Sequence, residues 1–338
     1  MKLKSKSKNI IFLESQGFKG SIDPKAEFAR DVKNGLSKSS KELSSKYFYD
    51  EDGSKIFSKI TELPEYYLTR AGYEILDKNK DKIAQLVKDT SFSLIELGSG
   101  DGRKTKVLLS HFLNTGVDFQ YIPIDISESA VDDLVKSVKN EFPSLQTTGI
   151  VTEYFKGIQW LEEKEKKKNF VLFLGSNIGN FDKEQQIVFL QSLWNSLNHD
   201  DLVLIGFDLK KDINLITKAY NDSQGVTEEF NLNLLRRINR ELGANFDLSK
   251  FSFFANYNPI IGAVESFLIS MEEQSVFISE LGKTFNFNAW EPIHTEYSFK
   301  YSDSDIAILA HEAGYKIKTQ FYDSERYFVQ SIWSVCKS

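Results

Sequence analysis

The sequence predicts an α/β fold, in which a parallel sheet covered by helices on both faces is joined to a second, smaller α+β region. Three observations predict it. Between residues 70 and 210, apolar runs alternate with segments whose apolar residues recur at helical spacing. After residue 210, this alternation gives way to a helical stretch and several short strands of alternating polarity. The chain then closes with one helix and two strands.

The central sheet is predicted from four apolar runs separated by helices. The runs are FSLIEL (92–97), FQYIPIDI (119–126), NFVLFLG (169–175) and DLVLIGFDL (201–209). The helices between them are KTKVLLSHFL (104–113), the segment with apolar residues from Val131 to Phe142, and QQIVFLQSLWNSL (185–197). Continuous apolar strands separated by helices are typical of a parallel sheet that is buried on both faces.

Beyond residue 210, the pattern predicts the second region and then a return to the sheet. A helix is predicted over NLNLLRRINREL (231–242), and strands over AVESFLIS (263–270) and PIHTEYSFKYS (292–302). The closing unit is the helix SDIAILAHEAG (304–314), whose Gly314 suits a left-handed cap, and the strands KIKTQFYD (316–323) and YFVQSIWSVC (327–336). We expect these last strands to join the central sheet, so that residues 208–297 interrupt the sheet domain.

The composition excludes several classes of protein. The chain has 338 residues, 41% of them hydrophobic, which is enough for a large core, and no stretch approaches the length of a membrane span. The net charge of −6 argues against a nucleic-acid partner. Cys336 is the only cysteine, which excludes an internal disulfide and fits a reducing cytoplasm. Residues 1–19 are predicted to be a flexible N-terminal tail, because their apolar run is too short for a signal peptide.

A cluster of glycines lies where the first central strand gives way to a helix. Gly98, Gly100 and Gly102 alternate directly after FSLIEL. Glycine tolerates positive φ and lets a ligand approach the main chain, and the next helix offers its N-terminal amides. The spacing is not the full dinucleotide motif, because Arg103 stands where that motif has its final glycine. An ordinary tight turn without a ligand is the alternative.

Residues after the next two strands favour an adenosine-type ligand. Asp125 ends the second strand, where a carboxylate can accept hydrogen bonds from both ribose hydroxyls; the alternative is a helix cap or turn. Glu153 and Tyr154 follow the next predicted strand, where an adenine ring would be bound; the alternative is a solvated loop. Nicotinamide cofactors and S-adenosylmethionine both suit this architecture. The closing antiparallel hairpin and the acid in IELGSG favour the methyl donor.

Six segments, in order along the chain, match a pattern more specific than the glycine cluster. They are KYFYDEDGSKIFSKITELPEYYLTR (46–70), LIELGSGDGRKT (94–105), YIPIDIS (121–127), FLGSNIGNF (173–181), RINRELGANFD (237–247) and IHTEYSFKY (293–301). Together they resemble the histidine-specific N-alpha-methyltransferases, which make trimethylhistidine (hercynine) on the route to ergothioneine. The resemblance extends from about residue 24 to the C-terminus, and ITELPEYYLTR and FLGSNIGNF are its most specific segments.

The resemblance implies a fold, a cofactor and a division into domains. The fold is a Rossmann-like class I methyltransferase sheet with a second, smaller α+β substrate domain. The methyltransferase domain would comprise residues 70–207 and 298–338, and the substrate-binding domain 20–69 and 208–297, with the substrate between them. The cofactor would be S-adenosyl-L-methionine, contacted by Gly98, Gly100, Lys104, Asp125, Glu153 and Tyr154.

The resemblance also implies which residues bind the amino-acid substrate. Tyr66, Asn180 and Tyr220 would hold its amino and carboxylate groups, because phenols and an amide can form several directed hydrogen bonds. Glu296 and Ser298 would recognise the two nitrogens of an imidazole. A wrong side chain would leave these buried groups unpaired, at roughly 1–3 kcal/mol.

Other predicted residues line the substrate cavity or take part in the reaction. Tyr49 and Phe230 would line the cavity, with Tyr49 and Asn180 as the catalytic residues. Ser266 stands where histidine enzymes of this family have Met, which would change the pocket size. We expect His294 to face away from Glu296, so that the substrate amine loses its proton through water or a tyrosine hydroxyl.

The sequence leaves other functions open. One is an N-methyltransferase for another amino acid, such as a tryptophan derivative; others are a nicotinamide-dependent oxidoreductase and a non-enzymatic module that keeps the fold as a scaffold or ligand sensor. No metal is predicted, because the histidines are scattered without ligand spacing. The predicted partner is a small-molecule amino acid, with no nucleic acid or membrane partner, and the protein is predicted to be a cytoplasmic monomer.

Overall fold

The computed structural model describes residues 9–13, 23–162 and 168–337. Its helices are α1 (Pro24–Leu36), α2 (Glu51–Ile60), α3 (Tyr67–Gln85), α4 (Arg103–Asn114), α5 (Glu128–Glu141), α6 (Tyr154–Glu162), α7 (Lys183–Ser196), α8 (Ile213–Tyr220), α9 (Val226–Leu242) and α10 (Asp303–Glu312). Its strands are β1 (Ile10–Phe12), β2 (Lys41–Glu42), β3 (Phe92–Leu97), β4 (Phe119–Asp125), β5 (Gly149–Val151), β6 (Lys168–Phe173), β7 (Leu202–Asp208), β8 (Phe251–Asn258), β9 (Ala263–Ser270), β10 (Gln274–Ile278), β11 (Lys283–Phe287), β12 (Glu291–Phe299), β13 (Tyr315–Tyr322) and β14 (Phe328–Val335).

The described residues form two compact units. The sheet unit comprises 9–13, Tyr67–Lys210 and 299–337, and the small unit comprises 23–66 and Lys211–Ser298. In this part of the chain, every helix is too short or too polar to cross a membrane. The functional roles that the sequence analysis assigns to the two regions stay predictions.

The sheet unit is built on an eight-stranded sheet in the order β1-β5-β4-β3-β6-β7-β14-β13. The first six of these strands are parallel, whereas β14 is antiparallel to both β7 and β13. Every residue of β3, β7 and β14 is buried, and because successive side chains point to opposite faces, both faces of these strands are covered. The predicted α/β fold and its closing antiparallel hairpin are confirmed.

The strand order places a crevice at the end of β3. From β3 the sheet continues to β4 and β5 on one side and to β6 and β7 on the other. In open α/β sheets, the loops that follow the carboxyl ends of the strands diverge at such a point, which is where ligands bind. The glycine cluster lies in the loop after β3.

The N-terminal prediction needs a correction. Ile10–Phe12, predicted to belong to a flexible tail, form the edge strand β1 and pair with Gly149–Val151. Ile10 packs against Val131 and Val135 of α5, so three apolar residues suffice to add a strand when a helix face covers them. The rest of the predicted tail, residues 1–8 and 14–19, lies outside the described residues.

The small unit combines two small sheets with helices. Its larger sheet has the order β2-β12-β9-β8, and β10 pairs with β11 in an antiparallel hairpin. Strands β8 and β9 are antiparallel, whereas β2 runs parallel to β12. One apolar core joins α1, α2 and α9 to one face of these strands and includes Phe28, Phe48, Leu234, Leu268 and Ile293.

Candidate active site

The glycine cluster after β3 is a turn in which three residues have positive φ. The φ angles are +72° at Gly98, +50° at Gly100 and +66° at Gly102, which is the N-cap of α4. The N–H groups of Gly98 and Ser99 both donate to the Ile124 carbonyl, which fixes the turn to the end of β4. L-residues other than glycine adopt this left-handed region at a cost, so the sequence dictates the turn locally.

Two of these glycines have very different surroundings. A Cβ at Gly98 would lie 2.7 Å from the Tyr154 hydroxyl oxygen and 3.0 Å from Asn177 Nδ2, whereas a Cβ at Gly100 would meet no atom within 4 Å. The Gly98 main chain is therefore approached by side chains from α6 and from the loop after β6. Space beside Gly100 stays open.

Asp125 closes the other side of the turn. Its Oδ2 accepts from the Gly100 N–H at 2.9 Å and its Oδ1 from the Ser127 N–H at 3.0 Å. Burial raises the pKa of the Asp125 carboxyl, and these main-chain hydrogen bonds oppose that rise. A carboxylate has about four acceptor positions, so two hydrogen bonds leave capacity for hydroxyl donors.

Tyr154 is the first residue of α6 and lies beside this turn, with Glu153 directly before the helix. The Tyr154 ring makes edge contacts with Phe173 and Phe189, with centroid distances of 5.3 and 6.0 Å. Burial, and secondarily the nearby Asp125, raises the pKa of the Tyr154 phenol, which therefore stays protonated. Glu153 is half-buried, and its carboxylate lies 3.6 Å from Lys156 Nζ. The structure thus brings Gly98, Gly100, Asp125 and Tyr154 together, with Glu153 beside them.

A buried carboxyl group lies beneath the turn. Glu96 on β3 is only 3% exposed; its Oε1 accepts from Thr105 Oγ1 at 2.5 Å and its Oε2 accepts from the Tyr121 hydroxyl. Burial raises the pKa of Glu96 to about 7, although both hydrogen bonds and the charge of Lys104 oppose the rise. Burial also lowers the pKa of Lys104, which Glu96 partly restores.

The loop after β6 carries Asn180 and brings Lys104 into the same region. Gly175 and Ser176 both have positive φ, and Asn177–Asn180 form a short 3₁₀ helix. A Cβ at Gly175 would lie 3.3 Å from Lys104 Nζ and 3.4 Å from Asn177 Oδ1. Residues three apart are eclipsed in a 3₁₀ helix, so Asn177 and Asn180 share a face.

Asn177 is a residue that sequence reasoning missed. It contacts both glycine-lined turns of the sheet unit, whereas only Asn180 was singled out in the same FLGSNIGNF segment. The sequence did contain a signal for Asn177, because it lies three positions before Asn180. Residues at this spacing lie on one face of a 3₁₀ helix.

The residues present fit an adenosyl cofactor at this turn. Ser99 is buried, and its Oγ has no hydrogen-bond partner among the described residues. A buried polar atom without a partner is uncommon and calls for an explanation. Together with the open space at Gly100 and the acceptor capacity of Asp125, it indicates room for a ligand with hydroxyl and amine groups.

Four predicted substrate residues of the small unit, Tyr49, Tyr66, Tyr220 and Phe230, have rings in one aromatic cluster. Tyr49 and Phe57 both contact Phe230, with centroid distances of 5.6 and 5.7 Å. Phe57 also contacts Tyr66 at 6.3 Å, and Tyr66 contacts Tyr220 at 6.4 Å. Phe57, on α2, was not predicted; it lies between the predicted rings and joins them.

Local structure fixes Tyr49 at the start of α2. The following residue, Asp50, caps this helix by accepting from the Gly53 N–H at 2.7 Å. Asp50 also accepts from Asn233 Nδ2 at 2.8 Å and from Arg240, both on α9. Helix α9 carries Phe230 as well, so the same contacts hold Tyr49 and Phe230 in register.

Ser298 joins the cluster through a hydrogen bond. The hydroxyl oxygens of Tyr220, at the end of α8, and Ser298, near the end of β12, are 2.6 Å apart and buried. Glu296 is half-buried two residues earlier on β12. Residues from α8 and β12, far apart in sequence, thus meet in the small unit.

A buried polar contact links three of the elements that carry predicted residues. Thr295 Oγ1 lies 2.9 Å from Asn231 Oδ1 and 3.0 Å from the Ser266 carbonyl oxygen, and it has one proton to share between them. Asn231 in turn donates to the Thr227 carbonyl at 3.0 Å. Thr295 and Asn231, both missed by sequence reasoning, directly adjoin Glu296 and Phe230. Ser266 is itself buried on β9.

The expected orientation of His294 needs a correction. The two residues His294 and Glu296 are two positions apart, an even separation that places side chains on one face of a regular strand. Moreover, β12 is not regular here, because the rings of His294 and Tyr297, three positions apart, lie 4.1 Å from each other. The His294 ring also contacts Phe267 at 5.3 Å, and burial lowers the pKa of its imidazole.

Two further points concern the position of Asn180 and metal binding. Asn180 lies in the sheet unit and the other predicted substrate residues lie in the small unit, so their sharing one cavity stays a prediction. Over residues 9–13, 23–162 and 168–337, no group of three or more His, Cys, Asp or Glu side chains could hold a metal ion.

Comparison with known proteins gives several relatives. The histidine N-alpha-methyltransferase of Mycobacterium tuberculosis is 34% identical over 285 residues, covering 84% of this chain and 88% of the relative. The ergothioneine biosynthesis protein 1 of Schizosaccharomyces pombe is 31% identical over 83% of this chain and 37% of that protein. The L-tryptophan methyltransferase of Psilocybe serbica is 28% identical over 90% of this chain and 92% of that enzyme.

The family model decides between the two cofactors that the sequence left open. The model described as "histidine-specific methyltransferase, SAM-dependent" matches residues 28–335, nearly the whole chain. This match confirms the resemblance seen in the sequence and the choice of S-adenosylmethionine over a nicotinamide cofactor. The chain belongs to the S-adenosylmethionine-dependent, histidine-specific methyltransferase family.

Proposed function

We propose that the protein transfers methyl groups from S-adenosylmethionine to the α-amino nitrogen of L-histidine, up to three times, to give trimethylhistidine. The observation that carries this proposal is the aromatic cluster of the small unit, in which Tyr220 contacts both the Tyr66 ring and the Ser298 hydroxyl, so that three separate segments are joined. A relative at 34% identity is named a histidine N-alpha-methyltransferase, which supports the same substrate.

The glycine turn and its neighbours are the proposed cofactor site. When bound, S-adenosylmethionine supplies a methyl group on a positively charged sulfur, which is already electrophilic. Asp125 would accept hydrogen bonds from ribose hydroxyls, and Tyr154 would pack on the adenine ring. Gly98 and Gly100 would contact the ligand through the main chain, with open space beside Gly100 and with Tyr154 and Asn177 packed against Gly98. Lys104 would lie near the carboxylate of the methionine portion.

The aromatic cluster is the proposed substrate site. The Tyr66 and Tyr220 hydroxyls, with the Asn180 amide, would hold the amino and carboxylate groups and so align the nitrogen for transfer. Glu296 would accept an imidazole N–H, and Ser298 would bind the other nitrogen. Ser298 already shares a hydrogen bond with Tyr220, so the head-group and side-chain contacts are coupled.

The amine must lose a proton before each transfer, since an ammonium nitrogen has no lone pair. We assign this step to water or a tyrosine hydroxyl, with Tyr49 as the candidate. His294 is not assigned this role, because its ring packs between Phe267 and Tyr297 on β9 and β12.

Glu296→Ala tests the assignment of the side-chain pocket. Loss of the imidazole acceptor should raise the Kd for histidine about 30-fold or more, because a charged hydrogen bond contributes about 2 kcal/mol or more. Calorimetry should find the S-adenosylhomocysteine Kd unchanged within about twofold. Equal loss of both affinities would contradict the placement of Glu296.

A tryptophan derivative is the second candidate substrate. A relative at 28% identity is named an L-tryptophan methyltransferase, and Ser266 departs from the histidine pattern toward a larger pocket. Mass spectrometry of reactions with histidine, tryptophan and arginine, looking for one to three added methyl groups, separates the candidates. The cytoplasmic location, the monomeric state and the absence of a nucleic-acid partner stay predictions.

A further inference from the structure

The sheet unit contains a fully buried ion pair that the cofactor site does not use. Asp208, the last residue of β7, is 0% exposed, and its Oδ2 lies 2.9 Å from Nζ of Lys300, which is 2% exposed. The Tyr67 hydroxyl lies 2.9 Å from each carboxylate oxygen. All three residues lie in the sheet unit.

This cluster is a poor way to stabilise a fold. Two charges lose their hydration on burial, and their attraction only about repays that loss, so apolar residues of similar volume often serve stability as well or better. Lys is rarely buried unless it is paired. The cluster therefore calls for a role other than stability, and its position along the chain indicates one.

The three residues stand where the chain passes from one compact unit to the other. Between residues 23 and 337, these passages fall at 66/67, 210/211 and 298/299. Tyr67 directly follows Tyr66, Lys300 comes two residues after Ser298, and Asp208 comes shortly before the second passage. Tyr66 and Ser298 are the predicted head-group and imidazole contacts.

The main chain of Asp208 extends the connection to a further predicted residue. Its N–H donates to Ser176 Oγ at 3.1 Å, and its carbonyl accepts from the Tyr301 N–H at 2.9 Å. Ser176 has a left-handed φ of 64° and directly precedes the 3₁₀ helix that ends at Asn180. One residue thus ties together the segments that precede or follow three predicted substrate contacts.

We propose that Tyr67, Asp208 and Lys300 form a positioning cluster for substrate binding, which fixes the main chain from which Tyr66, Asn180 and Ser298 extend. This inference rests on the proposed function. Because the cluster holds the main chain beside predicted substrate residues, its disturbance should weaken amino-acid binding and leave cofactor binding intact.

Tyr67→Phe is the sharpest test, because it removes only the hydroxyl and keeps the ring that contacts Tyr327 at 5.5 Å. The matched control is Tyr315→Phe, which removes another buried hydroxyl of the sheet unit, one that donates to the Leu190 carbonyl at 2.9 Å. Tm, histidine KM and kcat, and the Kd for S-adenosylhomocysteine are measured for each variant.

We expect both variants to lose a similar amount of thermal stability. Tyr67→Phe alone should raise the histidine KM about tenfold, with the cofactor Kd unchanged within twofold. Asp208→Asn should raise the histidine KM further, again without raising the cofactor Kd. If this variant does not fold, the Tyr67→Phe result still decides the test. Equal KM values for the two phenylalanine variants, or parallel changes in KM and cofactor Kd, would overturn the inference.

The wild-type enzyme separates this inference from the proposed function. If wild type does not methylate histidine but accepts another amino acid, the proposed substrate is wrong, and the positioning test is run with the accepted one. If wild type methylates histidine and Tyr67→Phe behaves like Tyr315→Phe, the inference fails alone.

Discussion

The two predicted binding regions are made from different parts of the polypeptide. In the sheet unit, the turn from Gly98 to Gly102 depends on missing side chains, positive φ and main-chain N–H groups held by Ile124 and Asp125. In the small unit, side chains from separate segments make the cluster, through ring contacts and the hydrogen bond between Tyr220 and Ser298.

This difference teaches where each region is vulnerable. A turn made of main chain is disturbed by adding atoms or by changing the charge beneath it. A cluster of side chains is disturbed by loosening the contacts that align distant segments. Substitutions should therefore separate cofactor affinity from amino-acid affinity.

The largest expected effect concerns the buried carboxyl group under the turn. The pKa of Glu96 rises from 4.5 to about 7 in the folded protein, so the folded state holds a proton that the unfolded state releases. The stabilisation is complete below pH 4.5 and is lost as the pH rises through about 7. From the difference between these two pKa values, the stabilisation amounts to about 3 kcal/mol at most.

Glu96→Gln tests this dependence, because the amide keeps the shape and cannot ionise. Urea unfolding between pH 5 and 8 should show the free energy of unfolding of wild type falling relative to that of the variant. The amide can still accept from Thr105, and the Tyr121 hydroxyl can rotate to accept from it. Parallel curves for the two proteins would mean that Glu96 ionises normally in the folded state.

A smaller effect is expected from adding one carbon to the turn. Gly98→Ala strains a residue with φ of +72° and places a methyl group 2.7 Å from the Tyr154 hydroxyl oxygen. Tyr154 and Asn177 must move, so the Kd for S-adenosylmethionine should rise roughly thirtyfold, or about 2 kcal/mol. Calorimetry measures this directly.

Gly116→Ala is the control for backbone strain alone. Gly116 has nearly the same φ, +73°, and a Cβ there would meet nothing within 4 Å. Backbone strain should cost each variant about 1 kcal/mol of unfolding free energy, and the crowding at Gly98 should add to this loss in Gly98→Ala. Gly116→Ala should bind the cofactor normally. A similar loss of affinity in both variants would show that the crowding at Gly98 has no bearing on binding.

Much of the fold could be predicted because its signals are local. FSLIEL and AVESFLIS coincide with β3 and β9 to the residue, since an apolar or alternating run bounded by polar residues or glycine defines a strand. Helix α9 begins at Val226 rather than near 231, because Asp222 accepts from the N–H groups of Gln224, Val226 and Thr227. Val226, Phe230 and Leu234 recur at helical spacing, so this start is also a local signal in the sequence.

Other features could not be predicted because they depend on distant partners. Strand β1 is three residues long and pairs with a strand near residue 150, so no local pattern distinguishes it from a tail. Lys300 lies in a strand-like segment, where a lysine normally indicates solvent, and only the folded structure reveals Asp208 beside it. The glycine turn was predictable by its spacing, whereas Asn177, Asn231 and Thr295 gain their importance from tertiary contacts.

The smallest effect concerns the alignment of the small unit. Thr295→Val replaces a hydroxyl by a methyl group of similar size and removes the hydrogen-bond donor shared by Asn231 Oδ1 and the Ser266 carbonyl. Leaving a buried acceptor without a hydrogen-bond donor costs about 1–3 kcal/mol of unfolding free energy. We expect the histidine KM to rise about tenfold, or about 1.4 kcal/mol, with the cofactor Kd unchanged. Steady-state kinetics and calorimetry measure the two quantities.

Ser223→Ala is the matched control for this last prediction. The Ser223 hydroxyl also joins two segments, by donating to Glu65 at 2.9 Å, but it lies in an exposed position where water can replace it. Glu65 is next to Tyr66 in the sequence, and Thr295 is next to Glu296. Each contact therefore lies one residue away from a predicted substrate residue. The histidine KM of Ser223→Ala should stay within twofold of wild type. If both variants shift KM equally, alignment of the substrate residues does not depend on burial, and the contrast between the two regions loses its physical basis.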